Sequence, residues 1–410
     1  MEGALLESLH HFPVVLLIGP RQVGKSTLAR EICRSAWPAT YLTLDDRTTL
    51  DAALTDPDGL VQGQPGPTVI DEVQRAPDLL RAVKLEVDRH RAPGRFLLTG
   101  SAHVLTLASV SETLAGRVAV HELRPFAWSE MQRTQPLSIS ELFRSGRPEK
   151  LLRRSKAAGG TAELQRVVLS GGFPDPALMT SRRARSTWFE SYRQTVLERD
   201  LRDIANVSLV PELGRLMVAI ALRSGALLNV AELARDLGLS ESTTRRHIQL
   251  LRQTFQVETL APFASNRFKR LVKSPKIYWT DSGVAAHLAA VTTWHDLERR
   301  NMAGAMLETW VHAELRKLLS LEPDRMEISF WRSREGHEVD FLLERGGESI
   351  GIEVKSSAAI RDRDLAGLRR CRDLLGRQWR LAIMLYMGSD LVTVDRSTIV
   401  IPASRFFSGS

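Results

Sequence analysis

Cysteine is scarce in this sequence: the 410 residues include two, Cys33 and Cys371. Two thiols so far apart exclude a disulfide framework and a cysteine-based zinc cluster. Long hydrophobic runs are also missing, since the apolar run of residues 13–18 and all later ones are too short to span a bilayer. The first residues lack the basic region that opens a secretory signal. We therefore expect a soluble, cytoplasmic protein with no membrane partner.

Aromatic residues make up a modest 6% of the chain, but 43% of the residues are hydrophobic. At about 100–200 residues per domain, the length and this apolar content predict two to four domains with cores of their own. Lys and Arg outnumber Asp and Glu by 56 to 48, which gives a formal net charge of +8. A basic balance favours a polyanionic partner.

The strongest motif lies near the N-terminus. The run VVLLI is typical of a strand buried on both faces of a parallel sheet, and GPRQVGKST after it fits G-x-x-x-x-G-K-[ST]. In such a loop, backbone N–H groups and a helix N-terminus hold phosphates, Lys25 reaches the β- and γ-phosphates, and Ser26 binds Mg²⁺. A chance glycine-rich turn is the alternative, and the flanking elements count against it. The motif predicts an ATP site formed by Gly19, Pro20, Arg21, Gln22, Val23, Gly24, Lys25, Ser26 and Thr27.

An acidic pair, Asp71 and Glu72, ends the second apolar run in PTVIDEVQ. Asp71 is expected to hold Mg²⁺ through water, and Glu72 to orient and activate the attacking water. The adjacent carboxylate favours hydrolysis of ATP over phosphoryl transfer to a small-molecule hydroxyl. The alternative is an acidic pair that caps a helix.

Two further features fit a nucleotide site. Thr99 and Ser101 in LLTGSA follow a strand-like run and are expected beside the γ-phosphate, where a polar residue can sense hydrolysis. Arg117 lies in an AGR turn, and a guanidinium there can neutralise charge in the transition state. A plain strand end and a salt-bridged surface arginine remain the alternatives.

The middle of the chain predicts a winged helix. Asn229 can cap VAELARDLG, and Gly238 and Ser240 separate that helix from STTRRHIQLLRQTF. VETLAP and PKIYWTD are expected to form the wing strands. A protein-packing domain is the alternative to DNA binding. The residues expected to face DNA are Thr243, Thr244, Arg245, Arg246 and Gln249, with a basic cluster of Arg252, Arg267, Lys269, Arg270, Lys273 and Lys276.

Three carboxylates in the last part of the chain lie in predicted helices and strands. Glu308 lies in an amphipathic helix, Asp340 in the strand-like EVDFLLE, and Glu353 and Lys355 in SIGIEVKS, where a period of two puts both on one face. Glu308, Asp340 and Glu353 are expected to bind Mg²⁺, and Lys355 to orient water or neutralise charge. A Lys–Glu ion pair on a scaffold strand is the alternative. Arg332 and Arg334 are candidate phosphate contacts, and a solvated hairpin is the alternative.

The ordered set GPRQVGKST, VIDEVQ, LLTGSA, LAGR and LRPFAWSE resembles the bacterial and archaeal AAA-type ATPases that carry a C-terminal DUF4143 domain. LSGGFPDPAL, ERDL, YWTDSG and the segment from EVDFLL to EVKSS fit the same family. The four-residue set Glu308, Asp340, Glu353 and Lys355 resembles the PD-(D/E)xK, or restriction-endonuclease-like, core. The family resemblance implies an ATP-binding core, and it makes Arg199 in ERDL a candidate contact to nucleotide in a neighbouring subunit. The residues by themselves favour the alternative, a solvated and charged helix end. Whether the chain forms a homo-oligomer stays open.

Together these patterns predict an α/β protein in three parts. Residues 1–165 would form a P-loop AAA-like ATPase domain, 166–295 a helical and winged-helix region, and 296–410 a nuclease-like domain. The expected function is ATP binding and hydrolysis in work on nucleic acid, with ATP and Mg²⁺ as cofactors and DNA as partner. A Mg²⁺-dependent nuclease activity, a nucleotide-dependent switch whose nuclease-like domain is inactive, and an ATPase that remodels a protein all stay open.

Overall fold

The computed structural model describes residues 1–100, 114–155, 159–197, 210–264 and 274–409. Ser101, Arg199, Arg267, Lys269, Arg270 and Lys273, all named above, lie outside these ranges. The chain divides into two compact units. The first contains Met1–Arg124 and Leu250–Phe255, and the second contains most of the remainder.

The first unit is built on a parallel five-stranded sheet. Its strands are β1 (Val14–Ile18), β2 (Thr40–Thr43), β3 (Thr68–Asp71), β4 (Phe96–Gly100) and β5 (Val118–Glu122), in the spatial order β2-β3-β4-β1-β5. Its helices are α1 (Glu2–His11), α2 (Lys25–Ser35), α3 (Arg47–Thr55), α4 (Pro57–Gln62) and α5 (Leu79–Arg89).

Strand β1 is buried at every residue because both faces of the sheet are covered. Val14, Leu16 and Ile18 belong to one apolar cluster, while Val15 and Leu17 belong to the cluster on the opposite face. Strand β4 lies between β1 and β3, so the carboxyl ends of these three strands meet at one edge. This arrangement brings the P-loop, Asp71 and Thr99 together.

Helices dominate the first part of the second unit. They are α6 (Trp128–Met131), α7 (Ile139–Arg144), α8 (Pro148–Arg154), α9 (Thr161–Ser170), α10 (Pro174–Leu178), α11 (Arg182–Thr195), α12 (Val210–Ala221), α13 (Val230–Leu237), α14 (Glu241–Gln253), α15 (Ser282–Leu288) and α16 (Trp294–Arg299). Helix α14 continues past Gln249, so it contains residues of both units.

The winged-helix prediction agrees with the observed elements. Asn229 accepts a hydrogen bond from the Glu232 N–H as the cap of α13, and Gly238 ends that helix in the left-handed conformation. Strands β6 (Val257–Leu260) and β7 (Lys276–Trp279) pair antiparallel, as expected of wing strands.

A mixed six-stranded sheet forms the C-terminal part. Its strands are β8 (Glu327–Arg332), β9 (Glu338–Arg345), β10 (Glu348–Lys355), β11 (Trp379–Tyr386), β12 (Val392–Asp395) and β13 (Thr398–Pro402), in the order β12-β13-β11-β10-β9-β8. The helices here are α17 (Ala303–Leu319), α18 (Ala366–Leu375) and α19 (Ala403–Ser408). Gly346 and Gly347, both at positive φ, form the predicted β9–β10 hairpin turn.

Asp281 connects the Gly171–Gly172 turn to the start of helix α15. Its carboxylate accepts hydrogen bonds from the N–H groups of Gly172 (2.7 Å) and Val284 (3.0 Å), so it caps α15 and fixes the Gly171–Gly172 turn. A Cβ on Gly171 would lie 2.0 Å from Asp281 Oδ1. The turn before α10 therefore requires glycine because the carboxylate occupies that space.

Within the described ranges, no helix has the length and apolar character needed to cross a membrane.

Candidate nucleotide and carboxylate sites

The P-loop is recognised first by its backbone conformation. Gly19 has φ +149° and a Cβ there would lie 2.2 Å from the Leu123 carbonyl oxygen, while Gln22 and Gly24 have φ of +60° and +99°. These conformations let the chain curl tightly between β1 and α2. Lys25 is 5% exposed, and its Nζ donates to the carbonyl oxygens of Gly19 (3.0 Å) and Pro20 (2.8 Å). The ammonium thus lies against the curled loop.

Asp71 is the centre of a hydrogen-bond network at the end of β3. Its Oδ1 accepts from Ser26 Oγ at 2.9 Å and from Thr99 Oγ1, and its Oδ2 accepts from Tyr41 Oη at 2.8 Å. Asp71 is 2% exposed. Burial and the Asp71 carboxylate raise the pKa of Tyr41 above its ordinary value, so this phenol stays a donor. Tyr41 was not predicted from the sequence, although its position near the end of a strand was a signal.

Glu72 follows in a left-handed conformation, with φ +61°. Its N–H donates to Thr99 Oγ1 at 3.2 Å, and its carboxylate accepts from Gln74 Nε2. A non-glycine residue at positive φ is uncommon and typical of functional turns. The conformation turns the Glu72 side chain away from the direction that a continued strand would give it.

Arg117 forms an ion pair with Asp88, with 2.6 Å between Nε and Oδ1, and its Nη1 donates to the Ala115 carbonyl oxygen. About a third of the arginine side chain is exposed. A surface salt bridge is the alternative that the sequence left open. The role of Arg117 in hydrolysis stays a prediction.

The second candidate site is a carboxylate cluster, formed by the half-buried Glu308 of α17 and Glu338 of β9 and the buried Asp340 of β9 and Glu353 of β10. The ammonium of Lys276, from wing strand β7, lies among three of them. Lys276 Nζ is 2.8 Å from Glu308 Oε1 and 3.4 Å from Asp340 Oδ1, and it also contacts Glu338. Lys276 is 4% exposed.

Further donors complete this cluster. Tyr278, two residues along β7, donates its hydroxyl to Glu308 Oε1 at 2.5 Å, and the Val354 N–H donates to Asp340 Oδ2 at 2.9 Å. Lys355 Nζ donates to Glu353 Oε1 at 2.7 Å. Among the described residues, Glu353 Oε2 is buried and has no hydrogen-bond partner.

Burial and a neighbouring negative charge act on two acids of this cluster. Desolvation, then the Asp340 charge, raises the pKa of Glu308 to about 7, and the same two causes raise the pKa of Glu353 well above its usual range. Burial acts to lower the pKa of Lys276, but Glu308, Asp340 and Glu338 outweigh it and raise that pKa. Lys276 is therefore charged at neutral pH.

The predicted Mg²⁺ ligands Glu308, Asp340 and Glu353 do not fit a metal in this arrangement. Both Glu308 Oε1 and Asp340 Oδ1 face the Lys276 ammonium, and Glu353 Oε1 is held by Lys355. Across the described parts of the chain, no three His, Cys, Asp or Glu side chains are arranged to hold a metal ion. The P-loop is different: Ser26 and Asp71 present a hydroxyl and a carboxylate oxygen side by side, a donor set that suits Mg²⁺.

Two predictions for the winged helix are wrong. Lys276 was assigned to a basic surface, but it is buried in the carboxylate cluster; a lysine in the otherwise apolar run KIYW, two residues from Tyr278, was the available signal. Thr244 was expected on the exposed face of α14, but it is fully buried and donates to the Ser240 carbonyl oxygen. The sequence also did not predict Glu338 as a member of the carboxylate cluster.

Basic residues do line two exposed surfaces of the second unit. Arg245, Arg246 and Gln249 are exposed along α14, with Arg245 3.2 Å from Glu241. Arg332 and Arg334 line a cleft of about 950 Å³ in which Trp331 and Arg325 also lie, together with the acids Glu327, Glu344 and Glu348. The cleft is mixed in charge.

Three family models match successive segments of the chain. Residues 11–132 match an "AAA domain", residues 161–295 a "Domain of unknown function (DUF8612)", and residues 303–406 a "Domain of unknown function (DUF4143)". The P-loop geometry and the AAA match together define the class: the chain carries an AAA-type, P-loop ATPase-like domain.

Relatives extend the match to nearly the whole chain. It is 32% identical over 405 residues to "Uncharacterized protein Rv2008c" of Mycobacterium tuberculosis and to "Uncharacterized protein Mb2031c" of Mycobacterium bovis. The alignment covers 98% of this chain and 83% of each relative. The chain therefore belongs to the family of these proteins, and its own sequence joins an AAA domain to a DUF4143 domain.

Solved structures give weaker matches. The Walker-type ATPase PABY2304 of Pyrococcus abyssi matches with a TM-score of 0.44 and 16% identity, covering 70% of this chain and 94% of that chain. RuvB of Thermotoga maritima matches with a TM-score of 0.29 and 19% identity, covering 63% and 86%. Both scores are below 0.5, so the fold assignment rests on the sheet order and the P-loop geometry.

Proposed function

We propose that the N-terminal domain binds ATP with Mg²⁺ and hydrolyses it. The observation that carries this proposal is the contact of Ser26 Oγ with Asp71 Oδ1 at 2.9 Å, made where the P-loop and β3 meet. Ser26 and Asp71 would hold Mg²⁺, which when bound neutralises charge on the phosphates. Lys25 and the N–H groups of the loop would bind the phosphate oxygens themselves.

Glu72 is the proposed general base. Its N–H is fixed by Thr99 and its carboxylate by Gln74, so the side chain is positioned without blocking its free oxygen lone pairs. A carboxylate so held can orient a water molecule and accept its proton as the water attacks the γ-phosphorus. Thr99 contacts both Asp71 and Glu72, and we propose that it links nucleotide state to both acids.

Two substitutions separate binding from hydrolysis. Lys25→Ala removes a phosphate contact and is expected to lower ATP turnover by ~100-fold or more and to weaken ATP binding. Glu72→Gln keeps the Gln74 contact through its amide oxygen, so turnover should fall while ATP binding persists. The matched control is Lys84→Ala, a lysine of α5 outside the loop. Phosphate release and a fluorescent nucleotide titration measure the two effects. ATP turnover unchanged in Lys25→Ala would reject the proposal.

We infer further that ATP hydrolysis serves work on nucleic acid. Support comes from the winged helix, whose helix α14 exposes Arg245 and Arg246, and from the positive net charge of the chain. Replacing both arginines by Ala should weaken DNA binding and lower the slope of log affinity against log salt by about 1 for each phosphate that is no longer bound. Arg299→Ala, an exposed arginine of α16, is the control. Unchanged binding would favour a protein partner.

The cluster around Lys276 favours one alternative over metal-dependent cleavage. In this alternative the chain is a nucleotide-dependent switch that binds DNA or protein, and its nuclease-like domain is inactive. The observation is the ammonium placed between Glu308 and Asp340, the predicted metal ligands. Incubation of the wild-type chain with DNA, Mg²⁺ and ATP should then give no cleavage. Cleavage that is lost in Asp340→Asn would overturn this alternative.

A further inference from the structure

Acidic residues usually avoid burial together, since each buried negative charge raises the cost of the next. Four of them nevertheless meet in the second unit: Asp340 and Glu353 are buried there, and Glu308 and Glu338 are half-buried. Asp340 is 8% exposed and Glu353 is 7% exposed. Such a group persists only with cations beside it. The need for a cation at this cluster does not depend on the ATP hydrolysis proposed for the first unit.

The chain provides the cation from a different element. Strand β7 pairs with β6 in the wing and belongs to a sheet separate from β9 and β10. Lys276 at its start extends its ammonium to Glu308, Glu338 and Asp340. The ammonium and the carboxylates of β9 and β10 therefore come from strands of different sheets.

One ligand atom remains unused. Among the described residues, Glu353 Oε2 is buried without a hydrogen-bond partner, although Lys355 holds the other oxygen of the same carboxylate. Strands β9 and β10 pair antiparallel up to Ile352 and Phe341, so Glu353 and Asp340 follow directly on neighbouring strands. A free, buried carboxylate oxygen beside this cluster is a feature expected of a cation site.

We propose that the Lys276 ammonium occupies the position that a divalent cation would take among these carboxylates, so that the wild-type cluster excludes a divalent ion. The ammonium lies 2.8 and 3.4 Å from two carboxylate oxygens. Mg²⁺ and Mn²⁺ approach oxygen ligands to about 2.1 Å. Both cations cannot fit among the same oxygens, and two like charges at that separation repel strongly.

The test is Mn²⁺ binding to the full-length chain without nucleotide, followed by electron paramagnetic resonance. Lys276→Met keeps the length of the side chain and removes its charge. It is expected to bind one Mn²⁺ more than the wild type, with an affinity at least ~100-fold above any wild-type binding at this cluster. Adding Asp340→Asn should abolish that extra site.

Lys317→Met is the matched control. Lys317 is also buried and also pairs with a glutamate of α17, 2.8 Å from Glu314, whereas Lys276 forms ion pairs with three carboxylates. Loss of the Lys317 ammonium should therefore create no Mn²⁺ site. Any Mn²⁺ held at the P-loop is common to all these proteins and is subtracted in the comparison.

Three results would overturn the proposal: a folded Lys276→Met chain with no extra Mn²⁺, an equal gain in Lys317→Met, or wild-type Mn²⁺ binding that Asp340→Asn removes. If Lys276→Met does not fold, adding Glu338→Gln removes one unbalanced charge at a half-buried position. The wild-type measurement requires no variant at Lys276, and it can reject the proposal by itself.

Discussion

Gly19 shows how a single residue can control the nucleotide site. Its φ of +149° lies where L side chains are rare, and a Cβ would lie 2.2 Å from the backbone oxygen of Leu123. The neighbour is main chain in the region of β5, so it cannot move aside as a flexible side chain could. The close approach of two backbone segments therefore fixes the start of the P-loop.

Gly19→Ala should lower the free energy of unfolding by about 2 kcal/mol or more, through overpacking and backbone strain. Gly3→Ala is the control, because no described atom lies within 4 Å of its Cβ position and Gly3 lies in helix α1. That change should leave stability equal or raise it by up to about 1 kcal/mol. Urea unfolding measures both, and equal effects would contradict this account of Gly19.

At the scale of an element, the start of helix α15 is stabilised by its N-cap residue, Asp281. Asp281 is 3% exposed and accepts hydrogen bonds from both Val284 and Gly172. Burial raises the pKa of Asp281 even though these donors act against the shift. The carboxylate therefore joins the end of the wing strand to the turn that precedes α10.

Asp281→Ala should destabilise the chain by roughly 2–4 kcal/mol, because a helix cap is removed and a buried N–H loses its acceptor. Asn229→Ala removes an exposed cap of α13 and should cost about 1 kcal/mol. Chemical denaturation of the two variants checks the difference. Equal losses would mean that the Gly172 hydrogen bond contributes little.

Helix α14 carries a histidine, His247, on its buried face. His247 is fully buried and neither ring nitrogen has a hydrogen-bond partner among the described residues. Burial, with Arg246, lowers the pKa of His247 below 6.5, and Glu212 opposes the shift. The neutral ring is favoured in the folded state, so its contribution to stability is present above pH 6.5 and is lost as pH falls through the folded value.

His247→Leu should therefore weaken the loss of stability between pH 7.5 and 5.5, while His295→Leu, at an exposed position of α16, should not. Thermal unfolding across this pH range measures the change. If the wild type and His247→Leu show the same pH dependence, the ring is not the group that titrates.

The sequence predicted helices, strands and loops better than the side-chain contacts between distant residues. The P-loop, the acidic strand end and the wing strands follow from local patterns, because short apolar runs, glycines and caps act within a few residues. The contacts of Lys276 with Glu308 and Asp340 join residues 32 and 64 positions apart, and no periodicity encodes them. Thr244 was predicted on the exposed face because it precedes two arginines, and the sequence does not show that a threonine at this position is buried.

At the scale of the whole molecule, helix α14 contains residues of both units. The exposed Arg245 and Arg246 belong to the second unit, whereas Phe255, just beyond the end of the helix, packs on the apolar cluster of the ATPase sheet within the first unit. Phe255 has φ +58°, an uncommon conformation for an aromatic residue. If ATP governs nucleic-acid binding as proposed, this residue is placed to affect the coupling.

Phe255→Ala should leave ATP binding near the wild-type value but reduce the effect of ATP on DNA affinity. DNA titrations with and without ATP and Mg²⁺, in the Glu72→Gln background that stops hydrolysis, measure that ratio. A coupling of about 5–150-fold is typical of two linked sites, and we expect Phe255→Ala to bring the ratio toward 1. An unchanged ratio would show that coupling does not pass through Phe255.

The position of Lys276 has a consequence for how the protein depends on its surroundings. A domain whose buried acids are balanced by a bound metal unfolds when a chelator removes that metal. Here the counter-ion is part of the polypeptide, attached at Lys276 and present in every copy at a fixed stoichiometry. The C-terminal domain should therefore mature equally in metal-replete and metal-starved cells, and EDTA should leave its melting temperature unchanged when no nucleotide is present.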